Sequence, residues 1–122
     1  MARTLLIVTA ALEAPLGLML LVSPRLVVRL LLGVSLDAPA ALIVCRIAGA
    51  ALLSLGAACW LAREDRPGLA PVRGLIAAML LYNCAAAAVL AHAGAVVGLV
   101  GVLLWPAVAL HTALAVWCIA VQ

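Results

Sequence analysis

The sequence predicts an all-α integral membrane protein: four transmembrane helices in a bundle, plus a short interfacial helix between the first and second spans. Three observations predict this fold. The 122 residues are 70% hydrophobic and 9% charged, whereas soluble domains are roughly half apolar and about a quarter charged. Apolar runs long enough to cross ~30 Å of hydrocarbon recur between turn signals. Aromatic residues are scarce, with three Trp, one Tyr and no Phe, so packing falls to Leu, Val, Ala and Gly, which suits helices in close contact. Residues 1–122 form one membrane domain, with spans expected at 4–22, 40–62, 74–91 and 96–121 and the interfacial helix at 24–32.

The first span carries Glu13 near its centre. A carboxyl at that depth is costly in lipid and needs a partner or a purpose. Thr9, Ala10 and Gly17 share its helical face at spacings of three and four, so the acid faces inward beside small residues. Pro15 removes one backbone hydrogen bond beside it and can kink the helix. Arg3 ahead of the run resembles the start of a signal peptide, but the run is long, contains Glu13 and Pro15, and lacks a small-x-small cleavage site. It reads as a membrane span.

Ser23-Pro24 opens the next helix and Gly33 closes it, by the usual asymmetry of Pro at the start and Gly after the end. About nine residues are too few to span a bilayer. Arg25 and Arg29 share one face of this helix, which places it in the interface with possible lipid headgroup contacts. Asp37-Ala38-Pro39 signals the start of span two, with Asp37 as the expected N-cap. Arg46 lies roughly two turns in, and Trp60 marks the far interface.

Residues 63–73 are the one extended polar segment, a solvent loop with a Pro67-Gly68 turn. The 48 residues from Gly74 to Val121 would reach about 72 Å as one helix. They must fold back once, and His92-Ala93-Gly94, followed by Gly98, is the natural place. The arginines divide four to three, with Arg3, Arg63, Arg66 and Arg73 on the side of both termini. This bias favours cytoplasmic termini.

The spans bring polar groups to similar depths. Glu13 and Asn83 fall about 13–14 Å in, and His111 about 15 Å in from the same side. Arg46 enters from the opposite side and falls within about 6–8 Å of that layer. The structural expectation is a Glu13–Arg46 ion pair with Asn83 and His111 hydrogen-bonded around it, holding the helices in register. The functional expectation is that the same layer binds a proton, an ion or a small polar ligand.

Other chemistry is poorly represented. A net charge of +3, carried by scattered arginines, is not a nucleic-acid footprint. Cys45, Cys59, Cys84 and Cys118 lie inside spans without a CxxC pair and read as small hydrophobes, although Cys59 and Cys118 fall near the same membrane face. No cluster suggests a metal site, and no catalytic set is recognisable.

The run Pro24-Arg25-Leu26, Leu32-Gly33, Arg46-x-x-Gly49 and Leu55-Gly56 resembles small bacterial DoxX-like four-helix membrane proteins over about a third of the chain. The resemblance implies a four-helix bundle with a Pro-led short helix after the first span, placed in a bacterial inner (cytoplasmic) membrane. Some members of that group are associated with quinone-linked sulfur oxidation, but no residue here takes such a role by motif, so no cofactor is expected. The size and the acid in span one are similar to small multidrug-resistance exporters, whose aromatic-rich spans are missing here. The expected function is an accessory or ligand-binding membrane subunit without catalysis. The alternatives are a small proton-coupled transporter working as a dimer or a quinone-associated redox subunit. The expected partners are the lipid bilayer and either further copies of the chain or a larger membrane complex.

Overall fold

The structure, a computed structural model, describes all residues from Met1 to Gln122. It contains five helices and no strand: α1 (Ala2–Val22), α2 (Pro24–Leu32), α3 (Pro39–Ala62), α4 (Ala70–Ala95) and α5 (Leu104–Ala120). Three of these, α1, α3 and α4, are long and apolar enough to cross a membrane. The fourth apolar helix, α5, has 17 residues, or about 26 Å.

α1 continues through Pro15. It ends where the Ser23 N–H donates to the Met19 carbonyl at 2.7 Å. Ser23 then opens α2 by accepting from the N–H groups of Leu26 and Val27 through its own carbonyl, not through its hydroxyl. Pro24 occupies the first turn, where its missing N–H costs nothing. Gly33 closes α2 in the left-handed region (φ 74°), with its N–H on the Arg29 carbonyl; other L-residues resist that conformation. α2 therefore spans the residues the sequence predicts.

Three boundaries differ from the sequence reading. Asp37 does not cap α3: Ala38 stands at the N-cap in extended conformation, as a residue before proline prefers. The reversal between α4 and α5 falls at 96–103, not at His92-Ala93-Gly94. Those three residues stay helical, and the His92 carbonyl accepts from Val96 and Val97. Gly98 takes the positive φ (78°) that turns the chain. Gly94 instead provides clearance, since a Cβ there would lie 3.0 Å from the rings and methyls of Trp105 and Leu104. α4 also begins at Ala70, so Arg73 is helical and the polar loop is shortened to 63–69.

α1 packs chiefly against α3, and α4 against α5. The α1–α3 contact is backbone to backbone. A Cβ on Gly17 would lie 2.5 Å from the Leu53 nitrogen and 2.6 Å from the Gly49 carbonyl oxygen; one on Gly56 would lie 2.8 Å from the Ala14 nitrogen. The two pairs join through a core of Leu5 and Leu6 from α1, Cys59 from α3, Ile76 and Met79 from α4, and Leu114 and Cys118 from α5. All four cysteines are free. Cys59 and Cys118 are buried, whereas Cys84 faces outward.

The outer surface carries Ile43, Val44 and Ile47 on α3, Leu81 and Val89 on α4, and Val116 and Ile119 on α5, all exposed. Large aliphatic side chains thus cover the outside as well as filling the core, the arrangement of a protein solvated by lipid. At one end the Arg3 guanidinium pairs with Glu64 at 2.9 Å, and Arg63 lies over the Trp60 ring, 3.8 Å from its centroid. At the other end α2 meets the 96–103 segment. The Leu103 N–H donates to the Leu30 carbonyl at 2.9 Å, and Gly101 lies against the Leu31 carbonyl with no room for a Cβ.

Gly17→Ala should lower stability in detergent by about 1–3 kcal/mol, because α1 and α3 must separate to admit the methyl. Gly74→Ala meets nothing within 4 Å in α4 and should leave thermal unfolding unchanged or raise its midpoint, since alanine is the better helix former. Equal shifts for the two variants would contradict the close packing of α1 on α3.

Candidate functional site

The buried polar side chains are Thr9, Glu13, Asn83 and His111. Asn83 projects from the middle of α4 with its Nδ2 donating to the Met79 carbonyl at 2.8 Å. Its Oδ1 lies 2.8 Å from Nδ1 of His111 on α5. The Tyr82 ring meets the His111 ring edge to face, with centroids 5.5 Å apart. Beyond it the Tyr82 hydroxyl donates to Oε2 of Glu13 at 3.5 Å. Glu13 is 2% exposed and has no other side-chain hydrogen bond. One turn earlier the Thr9 hydroxyl is fully buried and has no partner.

Three of the four residues expected in one layer are thus brought together, and Arg46 is not. Its exposed guanidinium donates through Nε to the Leu21 carbonyl, at 3.3 Å, at the end of α1. The reason is register. The approach of Gly17 to Gly49 and Leu53, and of Ala14 to Gly56, sets Glu13 opposite residue 57. Arg46 is then eleven residues away, about 16 Å. Counting depth from predicted helix ends could not detect this offset. Depth did find the Asn83–His111 pair. It missed Tyr82, which lies beside Asn83 in the sequence and links Glu13 to the histidine.

His111 also forms the floor of a cleft of about 320 Å³ lined by α1, α2, α5 and, through Leu90, α4. Its walls include Leu16 and Met19 of α1, Val27 and Leu31 of α2, and Leu110 of α5. Met19 and Leu110 are each 41% exposed, so the cleft opens sideways on the outer apolar surface, with α2 over one end. A second groove runs along Pro15 between α1 and α3, lined by Ala14, Leu53, Gly56 and Trp60. It is wholly apolar, and Glu13 lines neither space.

Arg25 and Arg29 are outward on α2. Arg25 donates to the Leu36 carbonyl at 3.2 Å and shares a crevice at the α1–α2 corner with Arg46. No three His, Cys, Asp or Glu side chains converge as metal ligands would. No family model, curated protein or solved structure matches the chain.

Asn83→Leu strands the buried His111 Nδ1 and should cost about 1–3 kcal/mol of stability. Adding His111→Leu should recover part of that loss, which a double-mutant cycle in detergent would measure. The same cycle on Glu13 and Arg46 should give coupling within about 0.5 kcal/mol of zero, as for separated sites. Thr9→Val removes an unpaired buried hydroxyl at nearly constant shape and should raise stability by about 1 kcal/mol.

Proposed function

We propose that this protein is a ligand-binding membrane subunit that holds a largely apolar molecule in the cleft beside α2. The observation that carries the reading is the cleft itself: apolar walls, a volume within the range of small-molecule sites, and one buried polar group at the floor. In this reading all four long helices span the membrane, with α5 as the shortest. α2 lies in the interface with Arg25 and Arg29 toward lipid phosphates. This is also the plan that the DoxX-like resemblance implies. The Arg bias favours cytoplasmic termini, and the resemblance favours an inner bacterial membrane. The outward Ile and Val faces of α3 and α4 suit further copies of the chain or a larger complex as well as lipid.

Ala107 lines the cleft on α5, and Ala107→Trp would fill it. Native mass spectrometry of protein extracted in mild detergent should show a bound hydrophobic adduct on the wild type that this variant loses. A wild type without any adduct, or one retained by the folded variant, would count against the proposal.

A second reading follows from Glu13, which is buried with a single long hydrogen bond and no cation. Intramembrane acids of this kind carry protons in transporters. Under that reading Glu13→Gln should abolish proton-coupled flux in liposomes while preserving the fold. Unchanged flux would remove the acid from any transport cycle.

A further inference from the structure

The hydrogen bonds behind the cleft constrain what its floor can offer a ligand. The Met79 carbonyl can only accept, so the Asn83 atom 2.8 Å from it is the amide nitrogen. The amide oxygen then faces His111 Nδ1 at 2.8 Å. An amide oxygen also only accepts, so Nδ1 must carry a hydrogen. No carboxylate bonds to the imidazole; the nearest acid in the cluster, Glu13, is engaged by the Tyr82 hydroxyl. A second proton, on Nε2, would place a cation against aliphatic walls without an anion. The neutral ring with its hydrogen on Nδ1 leaves Nε2 as an in-plane acceptor.

His111 is the one lining residue with a strong hydrogen-bonding side chain, the others being Leu, Val, Met, Ala and Pro, and Nε2, unlike the Thr9 hydroxyl, is not sealed off in the core. An acyl chain filling the cleft would leave the buried acceptor unmatched. Ketones, ethers and esters present only lone pairs and would meet the Nε2 lone pair unfavourably. A neutral donor resolves this. The sideways mouth on the apolar surface admits molecules already dissolved in the bilayer. Resting on the ligand-binding reading above, we infer that the cleft takes a membrane-dissolved alcohol or phenol whose hydroxyl donates to Nε2 of His111. Asn83 is then a positioning residue: it never touches the ligand, but it decides which imidazole nitrogen accepts.

The test uses full-length protein in phosphatidylcholine nanodiscs with ¹⁵N-labelled histidine. The chain has two histidines, and the other, His92, is exposed near the end of α4, so the resonances separate. His111 should show the tautomer protonated at Nδ1, and 4-nonylphenol should shift its Nε2 signal. The phenol should bind roughly tenfold more tightly than its methyl ether, 4-nonylanisole, the worth of one hydrogen bond. Asn83→Leu should shrink that preference. Ala107→Trp should displace both probes. A His111 tautomer protonated at Nε2, or equal affinities for phenol and ether, overturns the inference. If the affinities are equal yet Ala107→Trp still displaces both, the cleft remains a ligand site with a different head preference. If Ala107→Trp displaces neither, the ligand-binding reading fails as well. Should Asn83→Leu not fold, the wild-type tautomer and the phenol-to-ether ratio decide alone.

Discussion

The backbone contact between α1 and α3 at Gly17 and Gly49 is the constraint on which the rest of the bundle depends. Lipid offers no hydrophobic force to drive helices together, so close van der Waals packing must supply the attraction, and only small residues permit it. Here glycine places the two backbones against each other with no space for a methyl group. That contact fixes the register of the pair. Register decides that Arg46 reaches the end of α1 and that Glu13 lies far from it. It also leaves the acid and Thr9 on a side of α1 that looks toward α4 and α5. The polar cluster is assembled there because the other side is already occupied by backbone.

The cluster itself obeys a second constraint. In hydrocarbon a polar group without a partner is expensive, so Asn83 and His111 satisfy one another and the helix carbonyl behind them. Glu13 is served more poorly, by one long hydrogen bond, and Thr9 not at all. Poorly matched polar groups at the centre of an otherwise aliphatic bundle carry a cost that leucine at the same positions would not. The cleft beside the cluster has apolar walls and one polar side chain, His111.

Much of the fold is legible in the chain because its boundaries rest on local chemistry. Pro24 and Gly33 delimit α2 through φ preferences that no tertiary context has to supply, and the apolar run with Glu13 marks α1 by composition alone. The turn before α5 is set by packing instead. His92-Ala93-Gly94 has the composition of a turn, yet Gly94 is small because Trp105 packs over it, a fact of packing that local pattern cannot carry. For the same reason depth arithmetic finds Asn83 with His111, whose helices are adjacent, and misplaces Arg46, whose distance from Glu13 depends on how α1 and α3 slide past each other. The cleft was invisible in the sequence, since its walls come from four separate segments that meet only in three dimensions.

The seam between α2 and the segment before α5 has a mechanical consequence. Gly101 lies flush against the end of α2, and Leu103 is hydrogen-bonded to Leu30; α5, with His111 two turns further on, starts at the next residue. Roof and wall of the cleft are therefore one linkage. Any displacement of α2 is passed to the start of α5, and so to the wall that carries His111.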